Sequence, residues 1–217
     1  MKKLVTIIIA SLLSFTMASA EKGVNIGLSG SMGGFVATAT ESAGERDKED
    51  AALAVGWASV FLEKDLGDSP MTIGIDYVPT SQGTETNTSQ RRQLTGVGNA
   101  TALVTQSVQV DFDDLTTVYL MGRMGENLFA KIGYMSVDVV TNETLGTGST
   151  YGDGDMNGTL IGVGYNNDLS NGMFVRVEGN YMTFDGLTLT ATNNAENQIT
   201  IDTLDGAMAK ISIGKSF

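Results

Sequence analysis

The sequence predicts an all-β fold: an eight-stranded antiparallel up-and-down transmembrane β-barrel with short periplasmic turns and longer extracellular loops. Three observations predict it. Apolar residues recur at every second position over long stretches. Glycine is abundant, at 27 of 217 residues, while proline occurs twice, at Pro70 and Pro79. The connections alternate between short and long along the chain, an asymmetry that transmembrane barrels have and soluble sandwiches do not need. After residue 20 no run of eighteen apolar residues occurs, so a spanning helix is not expected.

Residues 1–20 stand apart. Lys2 and Lys3 precede a mostly apolar stretch from Leu4 to Met17, and Ala18-Ser19-Ala20 supplies small residues for cleavage. This pattern reads as a secretory signal peptide, and residues 21–217 as one barrel domain. Removing Lys2 and Lys3 leaves 11 basic residues against 25 acidic ones, a formal charge of −14. Such a surface repels nucleic acid. The chain has no cysteine and no histidine, which removes the commonest general base and metal ligand.

Eight long strands are expected. The first runs from Val24 to Thr40, with Val24, Ile26, Leu28 and Met32 on one face. The second spans Ala51 to Leu62 and presents Leu53, Val55, Trp57 and Phe61. The third, Met71 to Val78, presents Met71, Ile73, Ile75 and Tyr77. The fourth covers Val104 to Arg123, and its alternation slips near Asp113-Asp114, where a bulge reconciles the two halves. The fifth spans Leu128 to Thr141 with apolar residues on both parities, so its faces stay open. The sixth runs from Thr159 to Asn166, the seventh from Met173 to Ala191 and the eighth from Ile199 to Phe217.

The short connections fall at Glu63–Ser69, Gly125–Asn127 and Asn167–Gly172. The long ones fall at Glu41–Asp50, Pro79–Leu103, Asn142–Gly158 and Thr192–Gln198. In a barrel that crosses a bilayer, apolar faces meet lipid and the interior is polar or small. Thr72, Gly74, Asp76, Gly162, Gly164, Arg176, Glu178, Asn180, Gly206, Lys210, Ser212 and Gly214 are the expected inward positions. Tyr77, Tyr119, Tyr165 and Phe217 lie near strand ends, where aromatic girdles sit. A soluble β-protein, such as a lectin-like binder, shares the alternation and is the competing fold.

The last segment, Ala209-Lys210-Ile211-Ser212-Ile213-Gly214-Lys215-Ser216-Phe217, resembles the C-terminal insertion signal of bacterial outer-membrane barrels. Ile211, Ile213 and Phe217 carry the resemblance, while Lys215 departs from it, because an apolar residue is usual there. The resemblance implies recognition by the barrel-assembly machinery. Signal peptide, strand count and terminal Phe together resemble the small outer-membrane β-barrel domain family that includes the OmpA transmembrane domain, OmpX and OmpW. Membership implies residence in the bacterial outer membrane, contact with its lipid, and either an envelope-structural and surface-contact role through acidic loops or a narrow channel for small solutes. Enzymes of this shape rely on a catalytic His, which this chain lacks, so no enzymatic activity is expected.

Two constellations carry chemistry. Asp76, Lys131, Arg176, Glu178 and Lys210 form an expected lumen charge cluster. It reads either as a plugged core of paired charges or as a gated path, since eight strands leave a lumen only wide enough for side chains. Asp153, Asp155 and Asn157, in Asp153-Gly154-Asp155-Met156-Asn157-Gly158, match the start of a calcium loop, without its closing Glu. No other cofactor is expected. The sequons at Asn87, Asn99, Asn142 and Asn157 read as loop composition. The barrel expectation has a direct check: detergent-folded protein changes gel mobility on boiling, whereas a chain that stays soluble without detergent contradicts it.

Overall fold

The computed structural model describes residues 23–41, 49–84, 87–94, 101–144, 150–192 and 198–217. The expected signal peptide, residues 1–20, lies outside them. The described residues form twelve strands: β1 (Val24–Glu41), β2 (Glu49–Asp65), β3 (Met71–Tyr77), β4 (Gln82–Gly83), β5 (Asn87–Leu94), β6 (Thr101–Met124), β7 (Leu128–Thr144), β8 (Gly154–Asp168), β9 (Met173–Phe184), β10 (Leu187–Thr190), β11 (Gln198–Ile201) and β12 (Leu204–Ser216). Eight of them close an antiparallel ring in the order β1, β2, β3, β6, β7, β8, β9, β12 and back to β1. Each stave of the ring is laddered to both neighbours over part or all of its length, as strands that cross a bilayer require. No helix among the described residues is long and apolar enough to cross.

The extra strands arise where the sequence reading drew single ones. The seventh expected strand breaks at Asp185-Gly186 into β9 and β10, and the eighth breaks at Asp202-Thr203 into β11 and β12. The long third connection holds β4 and β5, both paired with β6. The fourth strand is continuous. Its register shifts between Asp113 and Thr116, with Asp114 at φ 54°, so a bulge carries the change of parity.

The ring has two unlike ends. At the turn end, Leu66–Pro70, Gly125–Asn127 and a 3-10 turn at Ser170–Gly172 connect neighbouring strands. Gly125 at φ +86° and Asn171 at φ 71° occupy the left-handed region these tight reversals need. The ring is also tied there: the Gly23 N–H donates to the Phe217 carbonyl at 2.8 Å and the Phe217 N–H to the Val24 carbonyl at 2.9 Å. In outer-membrane barrels such a turn end is periplasmic. At the loop end β10 pairs with β11 and β11 with β1, extending the wall above the ring.

Outward-facing residues form an apolar belt that includes Leu28, Met32, Ile73, Val118, Ile132, Ile161, Val163, Val177, Ile211 and Ile213. A belt of this extent would be a liability in water and is a solvent match in lipid. Tyr134, Tyr165, Tyr181 and Phe217 are exposed around it, and the Lys215 ammonium folds back over the Phe217 ring at 5.4 Å. The fifth strand is settled: Leu128, Ile132 and Tyr134 face out, while Phe129, Lys131, Met135, Val137 and Val139 face in.

Two expectations about faces are corrected. Leu53, Val55, Trp57 and Phe61 do not lie on the lipid face. Phe61 is buried inside and Val55 and Trp57 pack on the interior core, leaving Ala52, Ala54, Gly56 and Ala58 outside. Tyr119 belongs to no girdle, because it is buried in the lumen. Bulky inward residues are accommodated by inward glycines. A Cβ at Gly74 would enter the Tyr119 ring, and one at Gly214 would enter the Phe174 ring. Outward Gly30 has open space instead. Gly74→Val should therefore destabilise the barrel by about 1–3 kcal/mol through overpacking. Gly30→Ala should be neutral or stabilising by up to about 1 kcal/mol. Reversible denaturant unfolding in detergent, followed by Trp57 fluorescence, measures both.

Candidate functional site in the lumen

The lumen is divided along its length. Its turn-end half holds six buried or nearly buried charges, three of each sign: Glu63, Asp76, Glu178, Lys131, Arg176 and Lys210. The structure thus brings together all five residues of the expected charge cluster, and it adds Glu63. Lys131 pairs with Glu178, and Lys210 with Asp76, which also accepts from Ser59 at 3.2 Å. Lys131 stands opposite Gly162 on β8, and Gly164 stands opposite Glu178. The space above those glycines is taken by neighbouring side chains, Asn180 over Gly162 and the Phe129 ring over Gly164.

Arg176 is the most heavily held. Its Nη1 donates to Glu63 Oε1 at 2.6 Å, its Nη2 to Glu63 Oε2 at 3.1 Å and its Nε to Asn166 Oδ1 at 3.3 Å. The guanidinium lies 5.1 Å from the Phe174 ring centroid, 5.3 Å from Phe129 and 5.7 Å from Phe61. Tyr119 donates its hydroxyl to Glu63 Oε1 at 2.7 Å. Glu63 is 1% exposed, so only this shell of donors makes its burial tolerable. The sequence reading misses it because it ends the second strand at Leu62 and places Glu63 in the short connection Glu63–Ser69, whereas β2 runs on to Asp65.

The loop-end half has the opposite character. Phe35, Val78, Leu115, Met135, Val137, Val139, Met156, Leu160, Met182, Phe184 and Met208 form one buried apolar cluster. The expectation of a polar or tiny interior is therefore corrected: this half is apolar, and even the turn-end half carries Phe61, Tyr119, Phe129 and Phe174 among its charges. Two cavities mark the division. A mouth of about 320 Å³ at the turn end is lined by Arg176, Asn166, Arg123, Asp65 and Phe174, among others. A gap of about 30 Å³ lies where the two halves meet, touched by Trp57, Lys131, Asn180 and Lys210. The Glu63–Arg176 pair and Tyr119 stand between them.

The wall beside the apolar half is incompletely laddered. β2 and β1 pair from Val24↔Lys64 up to Ala39↔Glu49, whereas β2 and β3 pair only from Asp65↔Thr72 to Val60↔Tyr77. Beyond Tyr77 the third stave turns toward β6: the Val78 N–H goes to Leu115 O, and Pro79 has no N–H to give. Among the described residues, 49–59 of β2 are therefore laddered on one side alone, leaving a seam beside Val55 and Trp57.

The calcium motif takes another shape than the sequence suggested. Residues from Gly154 onward are strand, with Asp155 opposite Asp138 and Asn157 opposite Ser136. Asp153 Oδ1 accepts the Thr141 N–H at 3.2 Å. Alternate residues on an extended chain stand about 6–7 Å apart, so these oxygens do not converge as in a loop. Among the described residues, no three acidic groups gather in a metal-holding arrangement.

No known family and no curated protein matches the sequence. Among solved structures, the outer-membrane protein AlkL, determined in lipid bilayers, is similar over 92% of each chain at 13% identity, with a TM-score of 0.53. The fold is that of a bacterial outer-membrane β-barrel. Neisserial surface protein A matches at 9% identity over 90% of this chain and 97% of its own, with a TM-score of 0.44. OprG of Pseudomonas aeruginosa matches at 10% identity over 91% and 98%, with a TM-score of 0.46.

The paired charges in this barrel yield a stability test. Glu63→Ala leaves the Arg176 guanidinium buried without its carboxylate and should cost about 3–5 kcal/mol, while Glu63→Leu with Arg176→Met, which removes both charges, should cost far less. Equilibrium unfolding in detergent reads the difference.

Proposed function

We propose that this chain is a non-enzymatic outer-membrane barrel, closed along its axis, that takes small apolar molecules into its loop-end half and releases them sideways to lipid. The observation that carries this reading is the juxtaposition of an apolar lumen half with the seam in the wall beside it. A path for polar solutes would need a hydrated lumen from mouth to mouth, but the turn-end half is filled by paired charges and three phenylalanine rings. Methionines 135, 156, 182 and 208 suit the opposite half to transient occupancy, because unbranched thioether side chains repack at low cost. The seam gives an exit that avoids the ion pairs.

The absence of histidine supports the non-enzymatic part. So does the engagement of the buried lumen carboxylates and ammoniums with one another. A second reading, surface contact, is favoured by the acidic row at the loop end, where Asp113, Asp138 and Asp155 lie in register on adjacent strands. Such a row would draw basic partners or divalent cations.

Two measurements separate the readings. In planar bilayers the protein should show no steady unit conductance, and such steps would contradict the closed axis. Cells displaying the barrel should accumulate the lipid-seeking dye 1-N-phenylnaphthylamine several-fold faster than cells without it. Val55→Trp, which enlarges a side chain beside the seam, should reduce that gain several-fold. Equal dye entry with and without the barrel would leave surface contact as the better account.

A further inference from the structure

The gap between the two lumen halves has chemistry that an apolar cluster alone would not need. Its loop-end side is Trp57, Leu115, Leu160, Met182 and Met208. Its floor carries Lys131, Lys210, Asp76, Thr117, Ser31, Tyr119 and Asn180. Each ammonium gives one N–H to its carboxylate, Lys131 to Glu178 and Lys210 to Asp76. An ammonium has three. Asn180 is 6% exposed, and its Oδ1 has no hydrogen-bond partner. The floor therefore holds ammonium donors, one of them 5.0 Å from the Tyr119 ring centroid, and a spare acceptor together, at the foot of the packed apolar cluster.

We infer that the lumen half is a site for a linear aliphatic molecule with one uncharged hydroxyl head, the head seated in the gap and the tail among the methionines. The inference rests on the apolar-uptake reading and names its substrate class. Three physical arguments select the head. A gap of about 30 Å³ has room for a water-sized group such as a hydroxyl. A hydroxyl both donates and accepts, so it satisfies the Asn180 oxygen and a lysine N–H at once. The surrounding charges already sum to zero in pairs, so a carboxylate head would bring an uncompensated charge into a low-dielectric interior and face Asp76. A plain alkane would leave the Asn180 oxygen and the lysine donors as they are, gaining only the tail contacts.

The chain supplies its own reporter. Trp57 is the single tryptophan, and it lines the gap while stacking on Phe35 with ring centroids 6.4 Å apart. Detergent-folded full-length protein is titrated with 1-decanol, decane and decanoate, following Trp57 emission. The expected result is half-saturation by decanol at a concentration about tenfold or more below that of either other probe, the size of one well-placed hydrogen bond to a charged donor. In Asn180→Leu, decanol and decane should become equivalent while decane itself still binds. Decanoate binding as tightly as decanol, or an unchanged decanol preference in Asn180→Leu, would overturn the proposal. Equal binding of all three by the unaltered protein defeats the hydroxyl preference and leaves apolar uptake standing. If no probe alters the emission, both fall. Should Asn180→Leu fail to fold, Asn180→Asp provides the second variant: its carboxylate accepts from the lysines and should weaken decanol binding while decane is unaffected.

Discussion

Eight strands enclose a space only as wide as the side chains that fill it, and the rest of this molecule follows from how that space is filled. Any charge placed there leaves water and must find its opposite within reach. The turn-end half solves this with three pairs, drawn from β2, β3, β7, β9 and β12, so that each pair also bridges distant parts of the ring. Arg176 shows how strict the requirement is. A guanidinium among three phenylalanine rings is acceptable because Glu63 receives two of its N–H groups and Asn166 a third. The glycines of β8, β3 and β12 are the steric counterpart, since they vacate the volume that the long and aromatic side chains opposite them occupy.

The loop-end half meets the same constraint without charge. Packing Phe35, Phe184 and the methionines there needs no partners for polar atoms, but it makes the interior resemble the lipid outside. Backbone groups left unpaired between two apolar phases are costly, so the stretch where β2 loses its ladder to the third stave is the weakest part of this wall. Fold and functional reading meet at this point. In the proposed function the ion pairs would close the axial way to a solute, and the seam beside the apolar core would leave the lateral one.

Much of this was legible in the sequence. Alternation with short and long connections gave the strand number and the ring, and the terminal strand gave the faces of Lys210, Ile211, Ser212 and Ile213. The bulge at Asp113-Asp114 was visible as a slip of parity. Inward charges on β3, β9 and β12 stood out because a polar residue between apolar neighbours has one reading in a lipid-facing strand. The second strand resisted for the converse reason. Leu53, Val55, Trp57 and Phe61 alternate just as lipid-facing residues do, and alternation cannot tell apolar lumen from lipid. Ala52, Ala54, Gly56 and Ala58 opposite them looked like a small-residue interior. Glu63, the principal partner of Arg176, was hidden for another reason: the sequence pattern ends the second strand at Leu62, one residue short of it. The calcium motif illustrates a separate limit: residue order specifies which oxygens are present, and strand pairing with Asp138 and Ser136 decides whether they converge.

The division of the lumen is the central claim, and its hydration tests it most directly. Solid-state NMR of the barrel in lipid bilayers, with polarisation transferred from water to protein, reports which residues water touches without altering any of them. Water signal should reach Asn166 and Arg176 from the turn-end mouth and should be absent at Met135, Val139 and Met208. Water contact running without interruption from Arg176 through Lys131 to Val139 would contradict the division, and with it the account of what the barrel admits.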